Sequence, residues 1–353
     1  MILEGKSILV TGGTGSLGQV LVRRMLSGEL GNPGKIIVMS RDEAKQHAMR
    51  VGYMSRKVTT DEVIYHNFEK LLEFRIGDVR SYADVCSAIR GVDIVANAAA
   101  LKQVPTCEYF PEQAVATNCK GPENVVRAIR EHGYPVETVI GISTDKACKP
   151  VNVMGMTKAI QERIFLAANI LIPSTRFVCV RYGNVLSSRG SVVPLFEEQI
   201  RAGGPVTLTS PEMTRFLLSL DDAVNVVFQA LREARAGETY VPIVRAARVT
   251  DIARAMIGPR NIETKIIGVR PGEKLAEVLV SEEECHHVVR RGDFYVILPL
   301  LPEVRAEEKG DLALEHEYSS DDDLLDLDGT VALLERHGLL PEQVAVESER
   351  VMG

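Results

Sequence analysis

The chain has 353 residues, 45% of them hydrophobic and 25% charged, with a formal net charge of −7. This is ordinary soluble globular composition, at a length that suits one large α/β domain with a smaller lobe. The acidic balance argues against a nucleic-acid partner, but a few arginines and helix N-termini suffice to hold a small anionic ligand. Six cysteines without a CxxC pair fit neither a zinc site nor a disulfide framework and read as reduced thiols.

The opening "MILEGKSILVTGG" passes into a strand with no signal-peptide core. The apolar run "FYVILPLLP" is too short to span a bilayer. No membrane insertion and a cytoplasmic location are therefore expected. "KSILVTGGTGSLGQVLVRRML" reads as strand, glycine turn and helix, with Leu17, Val20, Leu21 and Met25 at helical spacing. Further buried strands follow at "KIIVMS", "LEFRIGDV", "VDIVANAAA", "ETVIGISTD" and "FVCVRYGNV". Helical stretches such as "PEQAVATNCKGPENVVRAIREHG" and "MGMTKAIQERIFLAANIL" lie between them. Apolar strands alternating with helices predict a parallel sheet covered on both faces. Beyond Asn184 the pattern loosens until "SLDDAVNVVFQALREA", a helix with Ser219 as N-cap, and "GETYVPI", a strand returning to the sheet. The expected division is a dinucleotide-binding domain over 1–184, completed by 219–245, and a substrate-binding lobe over 185–353. The acidic segment 303–328 is expected to be a loop or arm, followed by a short helix at "GTVALLERHGL".

"TGGTGSLG" places Gly12, Gly15 and Gly18 at the first strand–helix junction, where a pyrophosphate would sit on the helix N-terminus. Thr14, Ser16 and Leu17 of the same loop are candidate contacts. An acid ending the second strand would bind the ribose 2′-hydroxyl of NAD, but the chain has "MSRDE" there. Ser40 and Arg41 suit a 2′-phosphate, so NADP is expected and NAD is the alternative. Asp42 is a rival acid one step late, or a helix cap. Asp78 and Val79 follow the third strand near the adenine, and Ala98 lies in "NAAA", where small side chains admit a cofactor.

In order and spacing, "TGGTGSLG", "GDV", "NAAALKQVP", "STDKA…P…MGMTK" and "RYGNV" resemble the extended short-chain dehydrogenase/reductases that act on nucleotide sugars. "SRDEAKQ", "SRGSVVPLF", "MTRFLLSLDDAV", "RPGEKLAEVLV" and "EYSSDD" are similar to bacterial UDP-N-acetylglucosamine 4,6-dehydratases and their polysaccharide-biosynthesis relatives. The resemblance covers Ser7 to about Leu334 and implies a Rossmann-type doubly wound sheet with a smaller C-terminal lobe. It implies a hydro-lyase with bound NADP that oxidises the sugar at C4, eliminates water across C5 and C6, and returns the hydride to C6. Asp145 would then be the acid at C6 and Lys146 the base at C5. Lys158 would bind the nicotinamide ribose, while Met154 stands where most relatives have a tyrosine that takes the O4 proton. A thioether cannot accept a proton, so Asp145, Thr144 or a water they hold become the candidates. Lys102, Asn184, Arg215, Arg270 and Glu273 match positions that contact the nucleotide sugar. The expected partners are a UDP-sugar and further copies of the chain. No metal is expected, since His286-His287 has no third ligand at metal spacing. Two rival readings stand beside the dehydratase: a 4- or 5-epimerase of the same superfamily, and a non-catalytic NADP-binding scaffold.

Overall fold

The computed structural model describes residues 1–54, 62–186, 191–305 and 312–340, with side chains except at 62–66. Part of "SRGSVVPLF" and part of the acidic segment therefore lie outside the described residues. The six apolar runs of the first half are β1 (Ser7–Thr11), β2 (Lys35–Ser40), β3 (Leu72–Ile76), β4 (Ile94–Asn97), β5 (Thr138–Ile142) and β6 (Arg176–Val180). Shorter strands follow: β7 (Val206–Leu208), β8 (Thr214–Phe216), β9 (Thr239–Pro242), β10 (Ala246–Arg248), β11 (Thr264–Ile266), β12 (Val278–Val280), β13 (Val288–Arg291), β14 (Phe294–Ile297) and β15 (Tyr318–Ser319).

Among the described residues, nine strands form one sheet in the order β13-β14-β9-β6-β5-β4-β1-β2-β3. From β3 to β9 it is parallel, and the chain reverses its direction of travel between β1 and β4. This is the doubly wound α/β arrangement, whose crevice opens at the C-terminal strand ends beside that reversal. Alternate residues feed opposite faces. Ile8 and Val10 pack with Leu21, Met25, Val224 and Phe228 of helices Ser16–Leu26 and Leu220–Glu233. Leu9 and Val139 pack with Val85, Ile129, Phe165 and Phe177 on the other side. Both faces are dry, so the strands read as unbroken apolar runs instead of an alternation. Ser219 caps helix Leu220–Glu233 in a reciprocal box with Asp222.

Three features differ from the sequence reading. The helical stretch 111–132 is interrupted at Ala116–Lys120 by a wider π turn. Pro122 lies two residues beyond; its ring nitrogen cannot donate to the residue 118 carbonyl and the ring would clash with it in a regular helix, and the widened turn absorbs that conflict. The run "FYVILP" forms β14, and the β13–β14 hairpin extends the main sheet antiparallel beyond β9, so 185–353 does not form one separate lobe. Finally, the segment expected as an acidic loop or arm carries β15, paired antiparallel with β12. Tyr318 there is buried, its hydroxyl bonding the Val244 backbone N–H and carbonyl. The acidic residues around it are mostly exposed and conceal this anchor from a composition-based reading. No helix among the described residues is long and apolar enough to cross a membrane.

Candidate active site

A cleft of about 1100 Å³ runs along the C-terminal ends of β1, β4 and β5 and is lined on its far side by residues of the later segments, among them Phe196, Arg215, Arg270 and Glu277. Its cofactor-side wall begins with the turn after β1. Gly12 has φ +67°, and a Cβ there would stand 2.8 Å from the Ala99 backbone. Only glycine lets this turn pass so close to the end of β4. Helix Ser16–Leu26 then points its N-terminus at the cleft, with Gly15 as cap and no side chain occupying the free N–H groups. At the end of β2, Asp42 Oδ1 accepts from the Lys45 backbone N–H at 3.0 Å, as a helix cap does. Arg41 is half-exposed, 3.8 Å from Asp78 Oδ2, so its guanidinium faces the cleft beside Ser40.

The chemical end is built on the turn after β5. Asp145 is fully buried. Its Oδ1 accepts from Thr144 Oγ1 at 2.6 Å, the Lys146 backbone N–H at 2.9 Å and Lys146 Nζ at 3.1 Å. Its Oδ2 is buried without a protein partner. Helix Val153–Leu171 holds this turn from behind: Asn152 caps the helix through the Gly155 N–H, and its Nδ2 donates to the Gly272 carbonyl at 2.7 Å. A Cβ on Gly155 would stand 2.1 Å from the Lys146 carbonyl oxygen, so the helix seats against the turn only with glycine there.

Met154 and Lys158 share the cleft-facing side of that helix. Met154 packs against Cys107 and Ala114. Lys158 Nζ donates to Gln161 Oε1 at 2.6 Å and to the Ile142 carbonyl. Burial brings its pKa down to about 8, so it keeps its charge at pH 7 and loses it in mild alkali. Tyr182, the tyrosine of "RYGNV", also lines the cleft. Burial raises its phenol well above 10, which makes it a poor replacement for the tyrosine missing at Met154.

Every candidate read from the sequence lines this one cleft: Gly12, Thr14, Gly15, Ser16, Leu17, Gly18, Ser40, Arg41, Asp78, Val79 and Ala98 on the cofactor side, and Lys102, Thr144, Asp145, Lys146, Met154, Lys158, Asn184, Arg215, Arg270 and Glu273 beyond. Arg215 differs in what it does there. Its guanidinium donates to the carbonyls of Thr214, Leu275 and Lys274 at 2.6, 3.1 and 3.0 Å, so it organises the 270–277 segment more than it offers donors to a phosphate. Two cleft residues with an unpartnered buried oxygen went unread in the sequence. Thr117, in the π turn, has a buried hydroxyl without a partner. Glu277, just before β12, is 2% exposed and lies 3.2 Å from Lys146 Nζ. No local periodicity marks Glu277, because only the fold brings it to a turn 131 positions earlier.

A family profile described as polysaccharide biosynthesis protein matches residues 8–299. A protein of Rickettsia canadensis named UDP-glucose 4-epimerase is 43% identical over 298 residues, 83% of this chain and 82% of its own. A UDP-N-acetylglucosamine 4,6-dehydratase (inverting) of Campylobacter jejuni is 40% identical over 309 residues, 87% of this chain and 86% of its own. The crystal structure of Pen from Bacillus thuringiensis superposes with a TM-score of 0.86 at 32% identity, covering 96% of this chain and all of that one.

Proposed function

The chain belongs to the polysaccharide biosynthesis protein family, and from that premise we propose that it is a 4,6-dehydratase of UDP-N-acetylglucosamine that keeps NADP bound. The observation that carries this reading is the Asp145–Lys146 pair, a buried carboxyl 3.1 Å from an amine in the same cleft as a glycine loop and helix N-terminus. The loop fits a dinucleotide, since the glycine turn leads into helix Ser16–Leu26, whose N-terminus opens on the cleft with no side-chain cap and can receive a pyrophosphate. Gly12, Gly15, Gly18 and Lys158 would hold the dinucleotide, which would supply hydride acceptance from C4 and hydride return to C6.

The residues then have to move only protons. Asp145 Oδ2 takes the proton of the C4 hydroxyl, while Thr144 and the Lys146 N–H hold Oδ1 in place. Lys146 removes the proton from C5, made acidic by the 4-keto group. Asp145 passes its proton to the departing C6 hydroxyl, and Lys146 returns its own to C5. The count closes: the O4 proton leaves in water and the C5 site is reprotonated, so no tyrosine is required at Met154. Arg270, Lys102 and Glu273 would hold the diphosphate and ribose, and Asn184, whose Oδ1 is buried without a partner, the sugar.

Incubation with UDP-N-acetylglucosamine in D2O, followed by NMR, tests the reading. A product one water lighter, with deuterium at C5, is expected. The similarity to a protein named UDP-glucose 4-epimerase supports a second reading, and a product of unchanged mass with no label at C5 would select it. The cofactor is tested separately. Arg41→Ala is expected to weaken NADP binding roughly 10- to 100-fold, the worth of one charge-assisted hydrogen bond, and to leave NAD binding unchanged. Calorimetric titration reads both constants, and an equal loss for the two cofactors would count against NADP.

A further inference from the structure

A lysine that removes the C5 proton must arrive as a neutral amine. Lys146 Nζ instead lies between two carboxyl groups, 3.1 Å from Asp145 Oδ1 and 3.2 Å from Glu277 Oε1. Burial opposes its ammonium form, but the charges of Asp145 and Glu277 outweigh that and hold it above the ordinary lysine value. Glu277 is displaced upward too, first by burial and then by the charge of Asp145. The charged groups facing it are Asp145 and Lys146 from the turn after β5, and Arg215 of β8, with Nε at 3.9 Å. From the β15 side it meets a hydroxyl: Ser320 Oγ accepts the Glu277 backbone N–H at 2.9 Å and bonds Thr214 Oγ1 at 2.7 Å. Glu277 Oε2 is a buried oxygen with no partner.

We propose that Glu277 is a positioning residue that stores the ammonium proton of Lys146, so that Lys146 meets the substrate as a free amine. The inference rests on the dehydratase reading and adds to it a proton reservoir. In the step, an Nζ–H bond breaks and an O–H bond forms on Glu277, and the nitrogen keeps the electron pair. That pair then takes the proton from C5, leaving the C5–H electrons in the enolate, and the reverse transfer reprotonates C5. Converting a buried ion pair to a neutral pair creates no charge, and the desolvated surroundings make the charged and neutral forms close in energy. Lys146 and Glu277 hold one shared proton across neutral pH, so the charge of the pair does not follow the pH, while its N–H and O–H hydrogens still exchange with solvent.

Glu277→Gln keeps the shape and removes the store. Its kcat is expected to fall about 10- to 100-fold at pH 7, in the range of one general acid–base contribution, with KM little changed. Its kcat should then climb with pH, as Lys146 comes to depend on solvent for deprotonation, whereas the wild type stays flat from pH 6 up to the titration of Lys158 near 8. Glu277→Asp keeps a carboxyl within reach and should retain the flat profile at a reduced rate, which also guards against a folding defect in the amide variant. A Glu277→Gln profile parallel to wild type, or an effect on KM alone, overturns the inference while the dehydratase reading stands. A wild-type enzyme that releases no water from the nucleotide sugar overturns the reading itself, and the inference with it.

Discussion

Asp145→Asn is expected to lower turnover by about 10³-fold or more, with cofactor binding and the thermal midpoint little changed. The amide has the size of the carboxyl, and its oxygen can still accept from Thr144 Oγ1 and the Lys146 N–H, which sit 2.6 and 2.9 Å from Oδ1. What it cannot do is take a proton from O4 and later give it to O6. A general acid–base group is ordinarily worth about 10²–10⁴, and Asp145 is asked to serve in both directions within one turnover. Lys146→Ala should cost as much by removing the C5 base, and the double variant should be little worse than either, because residues acting as a unit do not add. Deuterium wash-in separates the two roles. When the 4-keto product is incubated in D2O, Asp145→Asn should still exchange C5–H through Lys146, whereas Lys146→Ala should not. Unchanged turnover in both single variants would remove Asp145 and Lys146 from the chemistry and overturn their assignment; the scaffold reading requires that the wild type itself shows none.

The parts of this site that were legible in the sequence share one property: their chemistry is local. Gly12, Gly15 and Gly18 sit within one turn, Asp145 and Lys146 are adjacent, and Met154 and Lys158 are one helical turn apart. Strand ends then bring these pieces together, because a parallel sheet delivers every C-terminal end to the same edge. The strands themselves were legible because a sheet covered on both faces needs unbroken apolar runs. What escaped depends on separation. Glu277 reaches Lys146 only after β12 folds back against the turn that follows β5. Arg215 reads as a phosphate ligand by type, yet its donors go to three carbonyls that only the tertiary structure supplies. The β13–β14 hairpin did carry a local signal, a two-residue Gly292-Asp293 turn between runs that pair from Arg291 to Phe294. That signal was masked by the apolar run beyond it, which invited a question about membranes instead of strands.

The second large effect lies behind the site, at Arg181. This side chain is 2% exposed, and its guanidinium donates to Glu162 at 3.1 and 2.7 Å, to Glu284 at 2.7 and 2.9 Å, and to the Leu279 carbonyl at 2.9 Å. All five of its N–H bonds are therefore used. Glu162 also accepts from Ser143 Oγ, two residues before Asp145, and Glu284 closes a capping box with Ser281, four residues after Glu277. One buried cation thus ties together the two segments that carry Asp145 and Glu277. Arg181→Met fills the same space but leaves two carboxylates buried without their cation, which should cost about 3–5 kcal/mol at pH 7. The pH dependence gives an independent check. Burial works to raise Glu284, but Arg181 overcomes it and brings the carboxyl from its ordinary 4.5 to about 2. A folded pKa below the unfolded one contributes stability above the unfolded value and loses it as pH falls through the folded one. In the wild type this contribution, about 3 kcal/mol, is complete above pH 4.5 and disappears on the way down to pH 2. In Arg181→Met the cation is gone and burial, the largest influence, is opposed only by the Ser281 backbone hydrogen bond and the charge of Arg163, so the carboxyl moves the other way and the variant gains stability as it is acidified from pH 7. Denaturant titrations of the two proteins should therefore lie far apart at pH 7 and approach each other below pH 4.5; a separation that stays constant with pH would mean that Arg181 acts through packing and not through charge.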